Sequence, residues 1–238
     1  MDDAGYTTLT RQSGLLQQMQ VIANNIANAP TTGFRAQSLI FSEHINAGDT
    51  WQPSLSMATA RVQQSLNGQG ALSQTGGTFD LAIEGDGFFL VATPEGTRLT
   101  RSGAFTTNEN GDLVTVNGHA VMDTGEAPVF IPQGLGPVGI SADGTISAGG
   151  APVGQIGLFR PLDPDRVERE GNVLLNPIGG VAAQPDGRMK QGFLEGANVD
   201  PLLEMSRMIN VQRAYELGQS FLDKEDQRIR TVIDAISR

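Results

Sequence analysis

The side chains best suited to proton transfer or metal binding are few: two histidines, His44 and His119, and no cysteine. Without cysteine there is neither a disulfide framework nor a thiolate metal site. Neither histidine has an Asp or His beside it at metal-ligand spacing, so a zinc centre has no ligand set. Gly85-Asp86-Gly87 does not open a helix and is no nucleotide fingerprint. The run Asn108 to Asp112 resembles a calcium loop but has no acid at the twelfth position, which is His119, or at Ala120 after it. A hairpin turn accounts for it better. Glu84, Asp86 and Glu95 are carboxylates that a glycosidase would pair across a cleft, but any acidic β domain offers such pairs. The expectation is a protein that is not an enzyme, with no catalytic set, no cofactor and no metal.

The elements around these residues carry more information. The net charge of −10 lies wholly in residues 42–200, because residues 1–41 and 201–238 each balance to zero. An acidic middle argues against nucleic acid, which needs a basic face. From Gln12 to Phe34 there is no charge at all. That run is long enough to span a bilayer, yet its glutamines and asparagines are too polar for one. The opening MDDAGYTTLT is acidic and has no apolar core of the kind a cleaved secretory signal carries.

The N-terminal segment has helical periodicity. Leu9, Leu16 and Ala23 recur every seven residues, as do Gln12, Met19 and Ile26, and the two series together give the 3-4 spacing of a coiled-coil seam. Leu15 and Ile22 widen the stripe. Ala29-Pro30 ends the helix, since the residue before proline avoids the α region. A second helix starts at Asp200-Pro201, an N-cap followed by proline in the first turn. Along it Met208, Tyr215, Leu222 and Ile229 fall every seven residues, Val211 takes the alternate seam, and Gly218 and Glu225 weaken that seam. Asp226 and Arg230 are spaced to pair on the outer face.

Between the helices, residues 42–78 read as a polar extended connector containing the single tryptophan, Trp51. Residues 79–198 alternate short apolar runs, such as Phe88–Val91 and Leu113–Val116, with turn pairs such as Asn117-Gly118 and Asp143-Gly144. Asn-Gly and Asp-Gly suit tight hairpins, which need positive φ. The fold class expected is α+β: N- and C-terminal helices (1–41 with 199–238) forming a coiled-coil-like bundle, and a central antiparallel all-β domain (79–198). Such helices alone would expose a wide apolar stripe, the mark of an interaction surface.

Three stretches carry a family resemblance. NNIANAPTTGFR resembles the N-terminal signature of the flagellar rod and hook family of bacterial axial proteins. TFDLAIEGDGFFLV, with TRSGAFTTNENGDLVTVNGHAV after it, resembles that family's central β motif, and FLEGANVDPLLEMSRMINVQRAYE its C-terminal helix. The opening YTTLTRQSG and the short length point to the proximal stretch of the rod, with the distal stretch as the alternative. A carbohydrate-binding or adhesive β module is a more remote alternative, for which one Trp and two Tyr supply few aromatic platforms.

The resemblance implies a structural subunit of the basal-body rod. Such a subunit is exported through the flagellar type III apparatus and polymerises in the periplasm with copies of itself and other rod subunits. The rod then carries torque to hook and filament. It implies no nucleic-acid partner and no insertion in the membrane. The expected assembly seam joins Leu9, Leu16, Met19, Ala23 and Ile26 to Met208, Val211, Tyr215, Leu222 and Ile229. Asn24, Asn25 and Asn28 are expected off that seam, on a face that neighbouring subunits cover, where amides are cheaper to desolvate than charges. The terminal helices are expected to order fully only on assembly.

Overall fold

The computed structural model describes residues 2–46, 55–64 and 68–236. Helix α1 (Asp2–Ala27) opens the chain and helix α2 (Pro201–Ile236) closes it, with antiparallel strands between. The fold is α+β, as the sequence implies. The chain divides into two units. One holds α1, residues 37–63 and α2; the other holds residues 28–36 and 64–199.

In the helical unit, α1 and α2 pack side by side. Gln12 of α1 donates to the carbonyl of Tyr215 (3.3 Å) and Asn25 donates to Glu204 (3.4 Å), so the helices run antiparallel. Asp200 caps α2 by accepting from the N–H groups of Leu202 and Leu203. Arg230 pairs with Asp226 on its surface (2.9 Å). With 36 residues against 26, α2 outruns α1 by ~15 Å at 1.5 Å per residue. Strands Gln37–Asn46 and Leu55–Gln64 pair with each other in a two-stranded sheet. Much of the connector expected over 42–78 is therefore paired strand, a pairing that its polar composition concealed. Trp51 lies outside the described residues.

The β-rich unit is built round strand Phe88–Thr93. Its side chains alternate between the two faces of the sheet. Phe89 and Val91 enter one core with Leu81, Ile83, Phe105 and Leu113, while Phe88 and Leu90 enter another with Leu99, Phe159 and Leu175. Both faces are covered, which is why FFLV reads as a continuous apolar run. Among the described residues the main sheet has nine strands, all paired antiparallel, from Val167–Glu170 at one edge to Phe105–Thr107 at another. A three-stranded sheet (Val138–Ile140, Thr145–Ala148, Ala151–Gln155) and two strand pairs complete it. One of those pairs joins Leu72–Gln74 to Phe193–Glu195.

The turn signals fall between strands. Asn117-Gly118 links Leu113–Thr115 to Ala120–Val121, and Asp143-Gly144 links Val138–Ile140 to Thr145–Ala148. Asn108 closes its own turn by accepting from the N–H groups of Asn110 and Asp112 (both 2.9 Å). These are the bonds of an Asx turn, formed where the calcium-loop pattern had suggested a ligand.

Candidate functional site

The residues expected to form the assembly surface fall into two sets. Val211 is buried, and Met19, Ile26, Met208, Tyr215 and Leu222 are half-buried. Leu9, Leu16, Ala23, Asn24 and Ile229 are exposed. The covered positions of α1 run Gln12, Leu15, Met19, Ile22, Ile26, and those of α2 run Glu204, Met208, Val211, Tyr215, Gly218, Leu222, Glu225, both in steps of three and four. The spacing is the expected one. The covered face of α1 within one chain differs from the expected seam in that Leu9, Leu16 and Ala23 are exposed.

Amides explain the rotation. Gln12 is buried between the helices, where it donates to Tyr215 and accepts from Gln219 (2.9 Å). A Cβ at Gly218 would sit 2.7 Å from the Gln12 amide nitrogen. The glycine that looks like a defect in the apolar seam is the space the glutamine occupies. Asn25 is also buried: its Oδ1 accepts from the N–H of Gln37 (2.9 Å), and its Nδ2 donates to the Gln37 carbonyl (2.9 Å) and to Glu204. Turning α1 to bury Leu9 and Leu16 would strand both amides.

The asparagine face needs a second correction. Asn25 and Asn28 are buried within this chain, and of the three only Asn24 is exposed. Asn28 accepts from the N–H of Thr31 (2.9 Å) in the turn after α1. Two of the three asparagines are thus already enclosed, with no neighbouring subunit present.

The outward surface of the helices carries charged groups such as Arg11, Arg213 and Glu216, and apolar ones as well. Leu202, Leu217 and Leu9 are 78, 73 and 58% exposed, and Met205, Ile209, Phe221 and Ile233 are exposed beside them. Leu202, Met205 and Ile209 repeat the three-four step on a second face, a signal present in the sequence but masked by the stronger seven-residue series. A groove of about 420 Å³ runs between α1 and α2, lined by Thr8, Leu15, Ala214, Leu217 and Phe221. Arg11 and Gln12 line it as well, and covering its apolar side chains would remove apolar area from water.

The sequence reading missed a buried ionic cluster in the β-rich unit. Glu195 lies between Arg35 (3.2 Å) and Arg101 (3.0 Å), and all three side chains are enclosed. Burial, and then repulsion from Arg35, push the Arg101 guanidinium down to about 10, against the pull of Glu195. Arg35 is lowered chiefly by burial as well. The Arg101 guanidinium lies 5.3 Å from the ring centre of Phe88, and Arg169 lies 4.4 Å from that of Phe34. Burial also holds Arg169 down at about 10. The nearby cleft lined by Asp86, Phe88, Arg160 and Gln184 holds one carboxylate and no histidine.

Three family patterns match the chain. Residues 6–35 match the one described as flagella basal body rod protein, residues 82–148 the flagellar hook protein FlgE/F/G D1 domain, and residues 190–235 the flagellar basal body rod FlgEFG protein C-terminal. The chain is 38% identical over 244 residues to the flagellar basal-body rod protein FlgF of Caulobacter vibrioides, covering 100% of this chain and 99% of that one. It is 39% identical to FlgF of Mesorhizobium japonicum, with 98% of each chain covered. The flagellar basal-body rod protein FlgG of Bacillus subtilis is 30% identical, with 96% of this chain and 97% of that one covered.

Proposed function

The chain belongs to the family of flagellar basal-body rod proteins, and on that premise we propose that it forms the proximal stretch of the rod through the outward apolar faces of its two helices. It is a structural subunit of the rod, and it assembles with other rod subunits. Within the rod, α1 and α2 join the helices of neighbouring subunits in a coiled-coil-like bundle. Leu9, Leu16, Ala23, Asn24 and Ile229 then meet neighbouring chains, while Met19, Ile26, Met208, Val211, Tyr215 and Leu222, with Asn25, hold the pair together. Residues 1–41 with 199–238 act as the assembly domain, and residues 79–198 act as the β domain. Export through the flagellum's own type III apparatus into the periplasm and the absence of any catalytic role belong to the same reading.

The observation that carries it is the exposure of Leu202, Leu217 and Leu9 on helices that already pair with each other. Burying a large apolar side chain is worth roughly 1.5–3 kcal/mol, so a handful of them on each neighbour supplies an assembly energy that the isolated chain forgoes. Replacement of Leu16 by Glu tests this. The purified variant should melt close to the parent, because Leu16 is exposed in the chain. In cells it should fail to enter the rod, and swimming should stop. Normal rods built from Leu16→Glu would refute the outward face as the assembly surface.

A further inference from the structure

The chain crosses between its two units four times, after Ala27, Ala36, Gln63 and Val199. Inside the β-rich unit these crossings belong to three stretches: residues 28–36, the residues from 64 onward, and the residues that end at 199. Nothing in the local sequence requires the three to meet, yet a single side chain touches all of them.

Glu195 is that residue. Its carbonyl accepts from the N–H of Gly33 (2.7 Å), and its Oε1 accepts from the N–H of Gly70 (2.9 Å). The same Oε1 faces Arg35 (3.2 Å), and Oε2 accepts from Arg101 (3.0 Å). Arg101 in turn donates to the carbonyl of Gly85 (2.5 Å), which ties the cluster to the sheets. Asn198 repeats the pattern. Its Oδ1 accepts from the N–H of Ala36 (2.6 Å), its Nδ2 donates to the Gly68 carbonyl (3.1 Å), and its N–H donates to the Phe34 carbonyl (3.3 Å).

The approach is close enough to exclude side chains. A Cβ on Gly33, where φ is +70°, would lie 2.2 Å from the Ser102 nitrogen, and one on Gly70 would lie 2.0 Å from the Gly196 carbonyl oxygen. A buried ion pair is a poor route to stability, because apolar groups of the same volume do as well or better. What two arginines and a carboxylate add is direction, since each bond fixes where one passage lies relative to the next.

We propose that Glu195 is a positioning residue which, with Asn198, clasps the three passages into one joint, so that pull on any of them is shared by all while the rod turns. Bonds strained together divide the force, whereas bonds strained in succession break one by one. The force-sharing role rests on the rod reading above; the clasp does not.

Amide exchange of the full-length Glu195→Gln protein tests the clasp. This change keeps the shape and removes the carboxylate between the two arginines, leaving Asp86 as their remaining negative neighbour. Exchange at Gly33, Ala36 and Gly70 should rise by ~10-fold or more while Leu90 and Leu99 keep their parent rates, the pattern of local opening. An equal rise at all five positions would reduce Glu195 to an ordinary stabilising group, and no rise would also overturn the proposal. If Glu195→Gln does not fold, Asn198→Ala strands no charge and is read at Ala36 by the same standard. Cells carrying the loosened variant should lose swimming speed earlier than the parent as the medium is thickened. Loosened amides with speeds that follow the parent at every viscosity would overturn the force-sharing role and leave the rod assignment standing.

Discussion

Strand Phe88–Thr93 and helix α2 treat their apolar residues in opposite ways. The strand encloses Phe88, Phe89, Leu90 and Val91 completely or nearly so, each in a core supplied by the same chain. Among the described apolar residues of α2 only Val211 is buried, while Leu202, Leu203, Met205, Ile209, Leu217 and Phe221 face outward. The β-rich unit encloses two apolar cores of its own. The helical unit encloses Val21, Ile22 and Val211 beside its amides and leaves these other apolar side chains exposed. Under the assembly proposed above, burial within the chain and burial between chains fall to different parts of one molecule.

The sharpest way to break that division is through the β core. Phe89 is fully enclosed and meets Phe105 edge-on at 5.0 Å. Phe89→Ala should cost the β-rich unit about 3–5 kcal/mol, read as a lower denaturant midpoint of its strands. Equal loosening of α1 and α2 in the same titration would show that the two units unfold together.

A smaller effect is expected at the centre of the helical unit. Asn25→Ala removes the bonds to Gln37 and Glu204 and should cost about 1–3 kcal/mol, measured as a lower melting point of the helical signal. No loss of stability would mean that this amide serves neighbouring chains, as its sequence context first suggests. The smallest effect concerns the surface of α2. Arg228 donates to Glu225 and holds its carboxyl below the usual glutamate range. A carboxylate lowered in the folded state stabilises it above the ordinary pKa and loses that contribution as pH falls through the folded value. Helicity of the parent should therefore decline slightly on acidification, and Glu225→Gln should flatten that decline. An identical decline in both would remove the pair from the account of α2.

Local chemistry was legible in the sequence and distant chemistry was not. Asp200-Pro201 marks the start of α2, and Asn117-Gly118 and Asp143-Gly144 mark hairpins, because each acts through its own backbone. The three-four spacing of both helices was also readable. Its rotation was not, since counting apolar residues favours Leu9 and Leu16 and cannot show that Gly218 makes room for Gln12. Asn25 looks like a surface residue until Gln37 and Glu204 are brought to it. Glu195 sits in a stretch that resembles a family signature, but its partners Arg35, Gly70 and Arg101 are each about a hundred residues or more away in sequence. The short strand Leu72–Gln74 exists only because Phe193–Glu195 returns to pair with it.

The unequal lengths of α1 and α2 carry one more consequence. Gln12 against Tyr215 and Asn25 against Glu204 put the overhang at the C-terminal end of α2, which extends past the start of α1. Exposed Ile229, Val232 and Ile233 lie on that stretch, so covering this chain's apolar surface means covering an end of the helix pair as well as its side.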